Sequence, residues 1–172
     1  MRRFKPLDQH VCRQELGWSP DKFIILFSTT SRSNTKKRLW IAEEVVEKVK
    51  QNGFPDIELR GLNKVPHEKV PVWINAADMT MMTSMYDEGS PNIIKETLCC
   101  NKPVVSLPVG DVAERISGVP GCYLCAEDIN ELAQAVISVI NGKRTVEGQK
   151  AMKNLSLEAI AQKILKLYGD LI

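Results

Sequence analysis

Short apolar runs alternate with longer amphipathic segments along this chain, and this alternation constrains its fold more than any other feature. Residues 23–27 form a continuous apolar run, which is typical of a strand buried on both faces. A segment with helical spacing follows each such run, about five or six times in all. The alternation predicts an α/β domain of three layers, α/β/α, in which helices cover both faces of a mostly parallel sheet.

Turn and capping residues set the expected boundaries of the elements. Ser90 is predicted to cap a helix that begins at Pro91, and Asp111 and Asp128 are each predicted to head a capping box. Trp40 recurs at helical spacing with other apolar residues and is assigned to the apolar stripe of the first long helix, and Trp73 and Ile74 of the next helix are predicted to pack inward. The predicted strands are residues 23–27, 57–60, 79–83, 104–107 and 122–125. The predicted helices are residues 36–51, 70–77, 91–100 and 157–171, and two further helices are predicted to start near residues 111 and 128.

The size and charge of the chain narrow its function class. With 172 residues it has the length of one domain that can bury a core, and we assign residues 1–172 to it, with 1–20 leading into the first strand and 155–172 as a C-terminal helix. A net charge of +2 argues against general binding to nucleic acid. The sequence has no run of about 18 apolar residues, so no membrane span is expected, and its N-terminal residues do not read as a signal peptide.

Five cysteines, an odd number, are scattered through the sequence. This distribution indicates reduced thiols and a cytoplasmic protein rather than a disulfide framework. Cys122 and Cys125 have the spacing of a metal or redox pair, but no second pair follows them, and we expect both to pack as small apolar strand residues. His10 and His67 have no cysteine or acidic cluster beside them in the sequence, and neither is assigned a catalytic role.

The loop after the predicted strand 79–83 carries the clearest polar pattern. Glu88 and Glu96 lie eight residues apart and bracket a predicted helix start. Gly89 allows close approach of a ligand, and the free N–H groups of a helix N-terminus attract phosphate or sugar oxygens. Carboxylates at this point can accept hydrogen bonds from sugar or ribose hydroxyls. From the spacing alone, the simpler interpretation is a solvated Glu88 and a Glu96 that faces water.

The stretch Glu-Gly-Ser-Pro-Asn-Ile-Ile-Lys-Glu-Thr-Leu-Cys-Cys-Asn-Lys-Pro-Val-Val-Ser, residues 88–106, closely resembles the signature of family 4 glycosyltransferases, which have the two-domain GT-B fold. Residues 74–78, 109–114, 3–6 and 13–17 resemble further segments of the second domain of that family, so the resemblance covers nearly the whole chain. It implies a Rossmann-like domain that forms the donor-binding, C-terminal half of a GT-B enzyme.

The resemblance also implies roles for individual residues. Glu96 would bind the ribose of the nucleotide and Glu88 would contact the donor sugar. Arg32 and Lys37 have the spacing of the family's Arg and Lys around the diphosphate, although the family's usual Lys-Gly reads Lys37-Arg38 here. The implied catalytic residues are Glu88, Arg32 and Lys37, and the implied donor-binding residues are Glu96, Gly89, Ser90, Pro91 and Asn92.

The activity implied by the resemblance is transfer of a sugar from a UDP- or GDP-linked donor to an acceptor hydroxyl of a glycan or glycolipid. Such enzymes retain anomeric configuration and need no metal and no cofactor besides the donor substrate. For the full enzyme the resemblance is compatible with a role in polysaccharide or glycolipid synthesis and with peripheral membrane association. The N-terminal, acceptor-binding Rossmann domain is absent from these residues. The interval 59–71 is also shorter than in the family, which leaves the base-recognition residues open. The last helix carries an apolar stripe, for which we expect exposed apolar surface.

Three alternatives remain beside the transferase. The chain could be a non-catalytic nucleotide-sugar-binding module or a subunit that needs a separate acceptor domain. A sugar phosphorylase or epimerase on the same fold would need a phosphate site or a second-domain base that these residues do not reveal. A plain dehydrogenase is disfavoured, because no Gly-x-Gly-x-x-Gly follows the first strand.

Overall fold

A computed structural model describes residues 3–29, 35–85 and 88–169, without the side chain of Leu157. Five parallel strands form one sheet in the order β2-β1-β3-β4-β5. The strands are β1 (Phe23–Ser28), β2 (Ile57–Leu62), β3 (Met79–Met82), β4 (Val104–Ser106) and β5 (Tyr123–Leu124). The helices are α1 (Gln9–Leu16), α2 (Leu39–Gln51), α3 (Val70–Ala76), α4 (Asn92–Cys99), α5 (Val112–Ile116), α6 (Ile129–Asn141), α7 (Gly148–Met152) and α8 (Leu157–Gly169). The predicted Rossmann-like α/β class is confirmed.

The sheet is built around β1, which pairs in parallel with β2 on one side and β3 on the other. The first five residues of β1 are fully buried, as the continuous apolar run predicted. β2 runs two residues beyond its predicted end, and β5 contains only two of the four predicted residues. Cys125 is buried and Cys122 half-buried, and burial raises the pKa of each thiol to about 11.

Helix α1 lies in the segment that precedes the first strand, where we predicted no helix. Asp8 caps it by accepting a hydrogen bond from the backbone N–H of Val11 at 2.9 Å. Arg13 of α1 forms a buried ion pair with Asp78, with 2.7 Å between Nη2 and Oδ2. The same Asp78 oxygen accepts a hydrogen bond from the backbone N–H of Ile24 at 2.6 Å. Asp78 therefore fastens α1 to the start of the sheet.

The predictions for α2 need two corrections. A 3-10 turn, Thr35–Lys37, precedes this helix, which begins at Leu39 rather than at residue 36. Trp40 is exposed, not packed inward. The buried positions of α2 recur at helical spacing without Trp40, because that side chain falls at the margin of the stripe. These positions are Ile41, Ala42, Val45, Val46 and Val49.

Two of the three predicted caps are also wrong. Helix α4 begins at Asn92, Pro91 is its N-cap residue, and no side chain caps it, because Ser90 donates its hydroxyl hydrogen to Asp111 instead. The Asp111 side chain does not cap α5, since that carboxylate is engaged with other side chains. The cap by Asp128 is confirmed: its carboxylate accepts from the backbone N–H of Glu131 at 2.8 Å.

The C-terminal region contains α7, which no pattern predicted, and α8, which we predicted. The backbone of Gly148 in α7 packs directly on the backbone of Leu98 in α4, where a side chain would not fit. The expected apolar surface on α8 is present. Its exposed large apolar residues are Ile160, Ile164, Leu165, Leu167 and Tyr168.

Candidate active site at the carboxyl edge of the sheet

The candidate residues lie where the parallel strands end. Since all pairs among β1 to β5 are parallel, their carboxyl ends share one edge of the sheet. The segments that leave β1, β2, β3 and β4 at this edge supply the polar side chains described below. Ligands of open parallel sheets bind at this edge, because loops and helix N-termini converge there.

Lys37 and Glu88 form an ion pair at this edge, with 2.5 Å between Nζ and Oε1. Lys37 follows β1 and Glu88 follows β3, so the fold joins two predicted site residues that are 51 positions apart. About a fifth of each side chain is exposed, 19% for Lys37 and 23% for Glu88. Most of the pair is therefore covered, and a part of each side chain remains accessible to a ligand.

Thr83 and Arg38 fix the backbone around this ion pair. The buried Thr83 hydroxyl contacts the carbonyl oxygens of Lys37 and Arg38 at 2.9 and 3.1 Å. Arg38 donates to the carbonyl oxygens of Thr83 and Ser84 at 2.7 and 3.0 Å. It also pairs with Glu127 at 2.6 Å. Arg38 thus connects the segments that follow β1, β3 and β5.

The role of Arg38 was missed in the sequence, although a signal was present. Arg38 has a φ of +50°, in the left-handed region that favours glycine. It occupies the position of the glycine in the Lys-Gly pair of the resembling family, and glycine adopts this backbone conformation without steric cost. Arg38 keeps the conformation because its guanidinium makes the contacts described above.

Gly110 packs closely against the backbone of Glu88 and Gly89. It has a φ of +52°, and a Cβ at this position would overlap the carbonyl oxygens of both residues. The carbonyl oxygen of Gly89 accepts a hydrogen bond from Asp111 N at 3.0 Å. Around Gly89 itself a Cβ would meet nothing within 4 Å, so this side of the loop is open. The loop is therefore held on one side and accessible on the other.

Ser90 and Asp111 form a polar cluster beside the start of α4. Ser90 Oγ donates to Asp111 Oδ2 at 2.8 Å and accepts from Lys95 Nζ at 3.0 Å. Burial alone would raise the pKa of Asp111, but hydrogen bonds from Ser90 and Arg115 outweigh it and lower that pKa. Because Ser90 is engaged here, the first N–H groups of α4 have no side-chain cap and stay available to a ligand.

Glu96 lies one turn further along α4 and is half-buried. Its partner is His67, with 3.4 Å between His67 Nε2 and Glu96 Oε1. Burial raises the pKa of Glu96, opposed by the hydrogen bond and charge of His67 and by the charge of Lys95. A carboxylate with a raised pKa destabilises the fold at neutral pH, which is typical of a residue placed for binding. His67 had no predicted role, because its partner Glu96 is 29 positions away in the sequence.

The other predicted residues stand as follows. Arg32 lies outside the described residues. Pro91 is buried and Asn92, the first residue of α4, is exposed at the open edge. The structure joins Lys37 to Glu88 directly and gives Glu96 a separate partner, so the predicted residues form two adjoining groups rather than one cluster. Within the part of the chain that the structure describes, no group of three or more His, Cys, Asp or Glu side chains could hold a metal ion.

A groove of about 590 Å³ lies elsewhere, between α2 and β2. None of the predicted site residues lines it; Leu39, Val46, Ile57 and Leu59 are among the residues that do. The groove runs along β2, the edge strand that precedes the interval shorter than in the resembling family. It marks an uncovered flank of the sheet, whereas the polar and charged groups lie at the carboxyl edge.

The sequence profile of the family described as glycosyl transferases group 1 matches residues 38–142. These residues are more than half of the chain. The chain belongs to the group 1 glycosyltransferases. The matched region includes Glu88 and Glu96 and begins one residue after Lys37. No curated protein sequence matches this group 1 glycosyltransferase chain.

Solved structures share the fold of this group 1 glycosyltransferase. Sucrose-phosphate synthase from Thermosynechococcus elongatus has a TM-score of 0.73 at 22% identity, over 99% of this chain and 50% of that chain. The C-terminal domain of LpcC, a glycosyl transferase group 1 family protein from Francisella tularensis, has a TM-score of 0.74 at 15% identity. The match covers 89% of this chain and 95% of the LpcC domain. HepE from Anabaena, in complex with UDP and glucose, has a TM-score of 0.73 at 18% identity. The match covers 98% of this chain and 54% of the HepE chain.

These similarities establish the fold, that of a GT-B glycosyltransferase domain. The chain spans about half the length of the synthase and of HepE and nearly all of the LpcC domain. Among the described residues no helix is both long and apolar enough to cross a membrane.

Proposed function

We propose that this chain binds the nucleoside diphosphate sugar of a glycosyltransferase. One observation carries the proposal: the Lys37–Glu88 ion pair lies at the same sheet edge as the uncapped start of α4, the helix that bears Glu96. A cation, free backbone N–H groups and two carboxylates match the parts of such a donor, which has a diphosphate, a sugar and a ribose. HepE, which shares the fold, has been solved with UDP and glucose.

Each group has a distinct task in the proposed complex. The N–H groups at the start of α4 and the backbone of residues 89–92 bind phosphate or sugar hydroxyls. Lys37, with Arg32, neutralises the charge that develops on the departing diphosphate. The diphosphate competes with Glu88 for Lys37, and the released Glu88 carboxylate accepts hydrogen bonds from the donor sugar. Glu96 accepts hydrogen bonds from the ribose hydroxyls.

The complete enzyme transfers the sugar to an acceptor hydroxyl with retention of configuration and without a metal. The acceptor is a glycan or glycolipid bound by an N-terminal Rossmann domain that closes over the donor and excludes water. We assign the enzyme to polysaccharide or glycolipid synthesis, with peripheral membrane association, and place it in the cytoplasm. Five free thiols support that compartment.

A thermal-shift and calorimetric screen of the chain tests the proposal against UDP, GDP, ADP and their common sugar conjugates. A ligand at about 100 times its Kd stabilises the fold by about 2.7 kcal/mol, which raises Tm measurably. Binding of one nucleotide family identifies the base. Failure of all of them to bind contradicts the proposal. Binding without transfer, once the acceptor domain is supplied, favours a non-catalytic module.

Replacement of Glu96 by alanine is expected to abolish nucleotide binding and leave the fold intact. The fold survives because burial raises the pKa of Glu96, so that removal of the carboxylate relieves a cost of folding at neutral pH. Calorimetry and thermal unfolding of the same sample measure both effects. Glu44→Ala, which removes an exposed carboxylate of α2, is the matched control. Unchanged affinity in Glu96→Ala would refute this site assignment.

A further inference from the structure

We infer that His67 is a positioning residue for the nucleotide: it holds the Glu96 carboxylate in the orientation that receives the ribose hydroxyls. This inference rests on the proposed function, because it requires Glu96 to face the ribose. It adds to the site a residue from the segment after β2. Neither the family signature in residues 88–106 nor the spacing of polar residues predicted a role for His67.

The contact with Arg3 shows which ring nitrogen of His67 carries the proton. Arg3 Nη1 lies 2.9 Å from His67 Nδ1, and a guanidinium can only donate. Nδ1 is therefore the acceptor, and the ring proton is on Nε2, the nitrogen that faces Glu96. Arg3, His67 and Glu96 form a chain of donors that ends on a carboxylate oxygen. Among the residues that the structure describes, this contact involves Oε1 alone, and Oε2 can accept from hydroxyl donors.

The N-terminal segment holds His67 in place. The ring of Phe4 lies against the imidazole, with 5.5 Å between centroids and planes at 59°. Asn75 of α3 fixes this segment, since its side chain accepts from Leu7 N at 2.9 Å and donates to Lys5 O at 3.0 Å. Asn75 is fully buried, so the segment that carries Arg3 and Phe4 is anchored to the domain.

Because His67 is largely exposed, a positioning role can be tested separately from a role in stability. Its side chain is 61% exposed, whereas that of Glu96 is 18% exposed. An exposed imidazole contributes little to the core, so its replacement leaves the fold stable. The distance of 3.4 Å to Glu96 is long for a hydrogen bond, and bonds of this kind shorten when the ligand completes the site.

Calorimetry of the chain with UDP, GDP and ADP tests this inference through two substitutions. His67→Leu keeps bulk and removes the donor, and it is expected to weaken binding of the nucleotide about tenfold. His67→Gln places an amide N–H near the position of Nε2 and is expected to restore affinity to within about threefold. His10→Leu is the matched control, because His10 is an exposed histidine of α1 that contacts Gln14. It is expected to bind as the unsubstituted chain does.

The 2′,3′-dideoxy form of each nucleotide distinguishes positioning of Glu96 from a general loss of shape. His67→Leu is expected to lower affinity for the ribose form and leave affinity for the dideoxy form unchanged. Equal losses for both forms, or equal affinities of the Leu and Gln variants, overturn the inference. If Glu96→Ala loses binding and His67→Leu does not, His67 has no positioning role and the proposed function stands. If the unsubstituted chain binds none of the nucleotides, the proposed function fails and this inference with it.

Discussion

At the scale of single residues, backbone conformation decides how the candidate site is built. Gly110 and Arg38 both have positive φ, and both support the loop that carries Glu88. Gly110 gives close approach by lacking a side chain, whereas Arg38 keeps a strained backbone and uses its guanidinium to tie three segments together. Neither residue is expected to touch the ligand, yet each fixes where Lys37 and Glu88 meet.

Gly110→Ala tests this support, with Gly118→Ala as its control. Both glycines have positive φ, +52° and +71°, so each alanine costs about 1 kcal/mol of backbone strain. Only the Cβ at Gly110 overlaps the Glu88 and Gly89 carbonyls, which adds roughly 1–3 kcal/mol and displaces the loop. Urea unfolding is expected to show the larger loss for Gly110→Ala, and calorimetry is expected to show weaker nucleotide binding for that variant alone. Equal behaviour of the two variants would contradict the support role.

At the scale of elements, helices of the same length and similar pattern differ in what they bury. α6 and α8 each contain 13 residues with an apolar stripe. Leu132 of α6 is fully buried, whereas Leu165 of α8 is 69% exposed. The stripe of α6 packs against the sheet and α2, while that of α8 has no comparable cover among the described residues. In a GT-B enzyme this exposed stripe is available to the acceptor domain of our proposal.

The two leucines give opposite expectations for the same substitution. Leu132→Ala is expected to lower the free energy of unfolding by about 2–5 kcal/mol, because it removes buried apolar surface and leaves a cavity. Leu165→Ala is expected to change it by less than about 0.5 kcal/mol, because the side chain stays in water in both states. Denaturant unfolding of both variants measures the difference. A large loss for Leu165→Ala would mean that α8 packs on the domain in solution.

At the scale of the whole molecule, a buried charged network joins α1 to the edge of the sheet opposite the candidate site. Arg13 and Asp78 pair there, and Lys102 is buried near them with only 6% of its surface exposed. Burial lowers the pKa of Lys102 to about 8, although the charge of Asp78 opposes the shift. The network connects the N-terminal segment to the sheet, and Lys102 reduces its stability at neutral pH.

Lys102→Met is therefore expected to stabilise the chain, and to do so in a pH-dependent way. The folded pKa, about 8, lies below the unfolded value of 10.5, so the unfolded chain binds more protons between these values. Stability of the unsubstituted chain thus rises with pH across this window, and the cost of the buried charge is fully present below pH 8. The variant is expected to gain roughly 2–3 kcal/mol at pH 7 and much less near pH 10. Urea unfolding at both pH values measures the gain, and a gain independent of pH would contradict the lowered pKa.

Much of the fold was predictable from the sequence, because the residues that form local apolar patterns are the residues that the core buries. The apolar run of β1 is buried, and the cap at Asp128 occurs as expected. The wrong cap predictions concern side chains with two competing partners. Ser90 could cap α4 or bond to Asp111, and the tertiary contact prevailed. Trp40 has the hydrophobicity of a core residue, but 54% of it is exposed.

The sequence by itself determined the class of the domain, its family signature and the residue types at the carboxyl edge, because strand burial and helix periodicity are local properties of the chain. The tertiary structure alone decided which side chains meet. Lys37 reaches Glu88 across 51 positions, and His67 reaches Glu96 across 29, through the loops that parallel strands bring to one edge. Contacts of this kind depend on the order of the strands and on loop conformation, neither of which is written in local spacing.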